Sequence, residues 1–453
     1  MRWTVFRRCV ISGFIVLFAL SAFARTRPHY GGTLCVEISG DPWRGAEGLA
    51  RRLVLDGLTS LSTSGEVEPA LAASWSSDNA AHRWQFHLRP GAHFQDGSPL
   101  TADAVVASLN LVCASGCPWS TVHAVGSSVV FTADSPLPNL PVLLAGDRFL
   151  IALAVGQNGQ VPANPVGTGP FAFGSVAGNL LTLTANAEDW RGRPFADTIQ
   201  ILAHRAVRDQ WLDLSLGRAD VVEVPAERLP QARRQQFAVL ESPPVTLLAL
   251  QVADTGALSN SALRASIAMA VDRTALSNVI FQKQGDITAS LLPQSLSGYA
   301  FLFPPARDLS KARELRGGLS APPLLFTVTG DSAMQLAAQR IALNLQEAGF
   351  AVRVVPAASA AHADLALVRL PLAGDTPSAI LEGILRSAGI AQSVVAQDSS
   401  ALYKTERDVL ALHVIVPLLD LPRVYAVGGR VRDLRLRADG TPNLAGASLE
   451  DAQ

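Results

Sequence analysis

The segment that most restricts the possible folds lies in the C-terminal third, where LLFTVTG, DSAMQLAAQRIALNLQEAG and FAVRVV follow one another directly. The first and last pieces read as short apolar strands. The middle piece places Met334, Ala337, Ala338, Ile341 and Leu345 on one helical stripe, with Gly349 where such a helix ends. Two strands joined by one helix form a βαβ unit, whose crossover is right-handed and whose strands run parallel. A parallel sheet needs helices on both faces, so this stretch demands an α/β architecture. ADLALVRL adds a further strand, while HVIVPLL and RVRDLRLRADG return to extended patterning and send the chain back to complete an earlier sheet.

The N-terminus, MRWTVFRRCVISGFIVLFALSAFARTRP, has the three parts of a secretory signal peptide over residues 1–24. Arg2, Arg7 and Arg8 are the basic part, Val10 to Leu20 the apolar part, and Ala22-Phe23-Ala24 the small-residue cleavage site. The apolar run falls short of the ~20 residues that span a bilayer, which disfavours an uncleaved anchor. Cys9 precedes the run and is not placed for lipoprotein processing. Removing this segment takes three Arg and no acid, moving the net charge from −1 to −4. The mean hydropathy of +0.25 is partly its doing. Every later apolar stretch is broken by Pro, Gly or charge, so an exported protein, periplasmic or extracellular, is expected.

Composition excludes other classes. With 49% apolar and 17% charged residues the chain can bury enough surface to order itself. A pI near 6.7 leaves no general basic footprint for nucleic acid. Four cysteines in 453 residues exclude a disulfide-framework miniprotein, and that length corresponds to about three domains.

In TLCVEI, Leu34, Val36 and Ile38 alternate with Thr33, Cys35 and Glu37, predicting a first strand. RRLVLDGLTSL has helix-like spacing. In RWQFHLRPG, Trp84, Phe86 and Leu88 face one way and Arg83, Gln85 and His87 the other, a half-buried strand closed by a Pro90-Gly91 turn. Thr101 is a helix N-cap with Asp103 in the first turn, and Asn260 caps a helix lined by Leu263, Ile267, Ala270 and Val271, with Gly285 its exit.

The P-loop, the nucleophile elbow and the H-E-x-x-H motif are all missing from the sequence, and no nucleophile–base pair suggests a hydrolase. Gly167-Thr168-Gly169-Pro170 reads as a turn, because Pro170 removes a donor that a phosphate loop needs. His82 and His87 fall on opposite faces of one strand, which argues against a metal shared with His93. Cys113 and Cys117 are either a local disulfide or two buried thiols; Gly116 and Pro118 would end a helix between them.

These segments resemble bacterial extracellular solute-binding protein family 5, the oligopeptide-, dipeptide- and nickel-binding proteins of ATP-binding-cassette importers. The resemblance is carried first by EVEPALAASWSSDNAAHRWQFHLRPGAHFQDGSPLTADAVVASL, with Pro69-Ala70-Leu71-Ala72, Ser74-Trp75, Phe94, Asp96-Gly97, Pro99 and Asp103-Ala104-Val105. PVGTGPFAF, EDWRGRPFAD and LRASIAMAVDRTAL, with Arg264 and Asp272-Arg273, are similar to further family blocks. The resemblance implies a two-lobed periplasmic-binding-protein fold, class II-like, with an extra subdomain in lobe I. Lobe I would cover residues 25–245, with the subdomain at about 44–160; lobe II 246–419; and residues 420–453 would return to lobe I.

The function this implies is that of the substrate-binding component of an importer: no enzyme, no cofactor, a monomer working with a membrane permease and ATPase. A solute, a short peptide by preference, would be captured between the lobes. A sensor on the same scaffold, or a binder of a metal chelate, are the rival readings. Ligand contacts are expected from Asp41, Thr168, Gly169 and Trp190, although a plain turn is an equal reading of Thr168 and Gly169 and a structural indole the more frequent role for a residue such as Trp190. Peptide-binding relatives place an acid before a proline in lobe II to meet the peptide amine. Here Thr376 precedes Pro377 and Asp375 stands one place early, so Asp375 and Thr376 complete the candidate set. No lobe II arginine is marked by the sequence as a carboxylate partner. The chain is short for the family, chiefly between Gly285 and Gly330, which points to a small ligand.

Overall fold

The computed structural model describes residues 29–43, 48–62, 65–113, 116–153, 164–235, 237–359, 362–374, 376–390, 392, 394 and 398–450. The proposed signal peptide, Cys9 and Asp375 lie outside these.

The βαβ unit forms as its pattern requires. Strand Leu324–Val328 pairs in parallel with Val352–Pro356 on one side and Leu365–Pro371 on the other. Helix Ser332–Glu347 connects the first two, with Asp331 accepting from the Met334 amide at its N-terminus. Met334, Ala337, Ala338, Ile341 and Leu345 are buried on one face of the sheet. The other face is covered by helices Pro377–Ser387 and Ser399–Leu410, which bury Leu381, Ile384, Leu402 and Val409.

These strands are one end of an eleven-stranded mixed sheet. The other end holds Thr33–Glu37, Thr198–Leu202, Leu180–Ala185 and Phe171–Ala177, with Leu34, Val36 and Ile38 buried as alternation predicts. Two antiparallel strands, Ala238–Val252 and Ile415–Val427, join the ends. At about 3.3 Å per residue their 15 and 13 residues are long enough to run through both halves. Their pairing slips between Glu241 and Pro244, between Pro244 and Thr246, and between Leu248 and Ala249. Pro243, Pro244, Pro417 and Pro422 stand at or opposite those slips; each lacks the amide a regular ladder needs. The chain end does return: Tyr425, Ala426 and Val427 pair with Val221–Glu223 of the N-terminal half.

A separate four-stranded antiparallel sheet, in the order Ala72–Ser77, Arg83–Leu88, Ser128–Thr132, Thr121–Val125, carries helix Ala102–Val112. Its core is aromatic, with Trp84, Phe86, Phe131, Trp119 and Phe149 in mutual contact. Thr101 caps the helix through the Ala104 amide, and Cys113 at its end is bonded to Cys117.

Two segments depart from their sequence patterns. RRLVLDGLTSL is helical only over Arg51–Val54, then pairs as an isolated bridge at Asp56 and a strand at Thr59–Leu61. The helix after Asn260 stops at Ala270; Val271 is extended, and Asp272 caps a new turn through the Ala275 amide.

Candidate functional site

Thr168, Gly169 and Trp190 come together, but around a structural knot. Asp56, almost fully buried, accepts from Thr168 Oγ1 at 3.0 Å, Trp190 Nε1 at 3.1 Å and both Arg191 guanidinium nitrogens. Burial works against the charge of Arg191, and Asp56 and Asp189 more than offset it, raising its pKa. Gln95 donates to the carbonyls of Val54, Gly169 and Phe171 and accepts from the Gly167 amide. A Cβ on Gly167 would lie 2.0 Å from the Val54 carbonyl oxygen, and one on Gly169 2.5 Å from that of Leu53. Glycine is required here because two backbones touch.

The knot gives these residues partners within the protein. Thr168 is fully buried with its hydroxyl engaged by Asp56. The Trp190 ring has the guanidiniums of Arg89 and Arg191 at 4.4 and 4.5 Å from its centroid, so cation–π contacts within the protein occupy it. Asp41 closes a loop by accepting from the Trp43 amide at 2.7 Å. Thr376 caps helix Pro377–Ser387 through the Ala379 amide at 3.1 Å. His82 Nδ1 meets the Ala133 carbonyl and His87 Nδ1 the Ser128 hydroxyl.

A cavity of about 280 Å³ lies between the two halves, against the crossing strands. The N-terminal half contributes Ser39 and Glu223, the C-terminal half Asp331 and Arg369, and the crossing strands Thr246 and Arg423. Each acid already has a partner. Glu223 Oε2 accepts from the Ser39 amide at 2.7 Å and from Gln210. Asp331 bonds Arg369 at 2.8 Å while capping its helix. Arg423 differs: its Nη1 is buried and has no hydrogen-bond partner. Such a donor is poised for an acceptor that enters the cavity. Next to the lining residues Ala226 and Asp331, Ser332 Oγ donates to Glu227 Oε1 at 3.0 Å, joining the halves.

Arg369, Arg423 and Asp331 were not singled out from the sequence. Arg369 and Arg423 each sit in an otherwise apolar strand pattern, ALVRLP and DLPRVYAV, and a lone cation there is the signal that could have found them. Asp56 inside RRLVLDGL carries the same signal.

The chain matches the family of bacterial extracellular solute-binding proteins, family 5, middle, over residues 66–387. It is 24% identical over 335 residues to a probable di/tripeptide-binding protein 5 of Pseudomonas aeruginosa (strain UCBPP-PA14), a stretch covering 64% of each protein. The chain thus spans a little under two thirds of that curated relative. NikA from Brucella suis, solved in complex with Fe(III)-EDTA, superposes with a TM-score of 0.82 at 17% identity, covering 92% of this chain and 100% of that one. DppA from Helicobacter pylori, in complex with the peptide STSA, gives 0.77 at 18% identity, with 93% and 99% covered. At these identities the two structures share the fold.

Proposed function

Because the chain belongs to bacterial extracellular solute-binding protein family 5, we propose that it is the periplasmic capture component of an importer, taking a small peptide-like solute between its lobes and presenting it to a membrane permease driven by an ATPase. No catalytic step is involved. The observation that carries this reading is the unpartnered Nη1 of Arg423 in the cavity between the halves. A ligand carboxylate is the natural acceptor for it. Glu223, whose partners Ser39 and Gln210 are neutral, keeps a negative charge across the same space, which suits a zwitterion such as a di- or tripeptide. The volume of about 280 Å³ favours a ligand of that size over an extended oligopeptide. The names of the peptide-binding relatives agree with this choice, and we take the lobes to meet near residues 245 and 420, where the prolines interrupt the crossing strands.

Isothermal titration and thermal shift against di- and tripeptides, their C-terminal amides and their N-acetyl forms test the proposal. Binding to the folded state alone raises stability by about 2.7 kcal/mol at a hundredfold excess over Kd. Free-carboxylate peptides should bind and the amides should bind at least about tenfold more weakly, as should every peptide to Arg423→Gln. No shift with any peptide at millimolar concentration refutes the peptide reading; a shift with a nickel–histidine chelate in its place would reassign the ligand.

A further inference from the structure

Behind the wall that the N-terminal half gives to the 280 Å³ cavity lies a carboxyl pair that does not line it. Glu37 ends strand Thr33–Glu37 and Asp213 belongs to helix Val207–Ser215; each is only 6% exposed. Glu37 Oε2 is buried without a hydrogen-bond partner, and Arg205 Nε, 3.6 Å away, is unsatisfied too. The Arg205 guanidinium turns instead to Asp213, with its Nη1 3.6 Å from Asp209. Arg218, largely exposed, reaches Asp213 at 3.7 Å from the turn after the helix. Three carboxylates thus share two guanidiniums. The other neighbours of Glu37 supply no further cation. Asp220 is paired with Arg430, Glu223 is turned to the Ser39 amide, and Cys35 is a thiol whose pKa is raised by burial. The paired strand Thr198–Leu202 is uncharged, and His204 beyond it is exposed. Carboxyls packed together in this way keep one proton between them. Burial, and then the charge of Asp213, push Glu37 up to about 7, and its protonated form donates to Asp213.

The helix that carries Asp213 is tied to the cavity wall. Of the four side chains it buries, Trp211 and Leu214 are apolar but Gln210 and Asp213 are polar, so polar contacts govern how it docks. Gln210, fully buried, donates to the Arg205 carbonyl at 2.9 Å and to Glu223 Oε2 at 3.2 Å, and accepts from the Glu223 amide at 3.0 Å. Glu223 Oε2 in turn holds the Ser39 amide at 2.7 Å. Ser39, Val207 and Glu223 all line the cavity.

We propose that Glu37 and Asp213 form a proton switch for this wall. With one proton between them, helix Val207–Ser215 is held against its strand. When the Glu37 O–H gives that proton to water, the two carboxylates repel, the helix loosens, and Ser39 and Val207 move with it through Gln210 and Glu223. The effect on a ligand rests on the capture reading above; the response of the helix does not.

Amide exchange of the full chain, followed by mass spectrometry and corrected for the intrinsic rate, compares about pH 5.5 with about pH 8.5. Helix Val207–Ser215 should open about tenfold more readily at the higher pH, because only the packed pair holds its proton up to neutral pH. Glu37→Gln, which still donates to Asp213 but carries no charge, should keep the helix protected at both values. Asp213→Asn should remove the pH dependence as well, by leaving Arg205 to Glu37. No response in the unmodified chain, or an undiminished one in both variants, overturns the switch. Calorimetry with dialanine reads the wall: affinity should fall about threefold or more at the higher pH, relative to Glu37→Gln. Equal pH dependence in the two chains, while the helix responds, overturns the link to the cavity. Absence of dialanine binding counts against the capture reading, and the exchange result then decides the switch alone.

Discussion

Glu406 is completely buried and forms no ion pair among the described residues; it accepts from the Ser290 hydroxyl, the Leu291 amide and the Tyr299 hydroxyl. Burial pushes its pKa up, against the pull of those donors. Glu406→Ala leaves the buried Leu291 amide and Tyr299 hydroxyl without their acceptor, while the Ser290 hydroxyl still has the Leu292 carbonyl, and should lower unfolding stability by about 3 kcal/mol in urea denaturation. Glu406→Gln, which retains an acceptor, should lose clearly less; equal losses would mean that packing alone explains the site. Asp420 and Glu37 are likewise raised, each to about 7, first by burial and then by neighbouring acids. A carboxyl whose pKa is higher folded than unfolded gives the folded state the extra proton between the two values. Stability should therefore fall as pH rises from about 4 to about 7, by on the order of 4 kcal/mol for Asp420. Asp420→Asn should flatten that slope, as followed by Tm against pH. At this scale the sequence was read least well. Thr168 and Trp190 stand in a recognisable motif, but their partner Asp56 lies more than a hundred residues away, and local spacing carries no sign of such a pairing.

Elements were more legible where local chemistry decides them. Thr101 and Asn260 cap helices through the amides two or three residues on, and the stripe of helix Ser332–Glu347 is buried as its spacing requires. Legibility fails where distant contacts override the pattern. RRLVLDGL leaves helical geometry because Val54 must meet the Gly169 amide and Asp56 must pair with Ile151. The strand Ala238–Val252 is hidden by its two prolines, which mark a fully irregular edge in most contexts. Cys113 and Cys117, left open by the sequence, are joined at the end of helix Ala102–Val112. Closing so short a loop contributes about 2 kcal/mol by chain entropy. Cys117→Ser should lower stability by that order, and thiol labelling of the denatured, unreduced chain over residues 25–453 should find Cys35 alone. Labelling of three thiols would contradict the bond.

At the scale of the molecule, the two long strands do what neither half can do alone: they give both halves one continuous sheet and place proline-broken ladders between them. Those slips are where the proposed hinge would bend with the loss of few hydrogen bonds. The length and the βαβ unit already implied an α/β protein of several cores, and the family blocks implied two lobes; the pairing of Pro244 with Pro422 between the two long strands was beyond the reach of local pattern. The Ser332–Glu227 hydrogen bond is formed between the halves and so exists only when they are near each other. If the lobes close as proposed, it would favour the closed state without belonging to the lining of the cavity. Ser332→Ala removes a single exposed bond worth about 0.5–1.5 kcal/mol, equivalent to roughly two- to tenfold in the open–closed equilibrium. If closure is coupled to capture, the variant should bind its ligand more weakly by that factor, chiefly through faster release, with an unchanged melting temperature in the free form. Stopped-flow release kinetics and a pair of fluorophores on the two halves read both quantities together. An affinity within the error of the unmodified protein, with the same distance between labels, would show that the bond forms without governing closure.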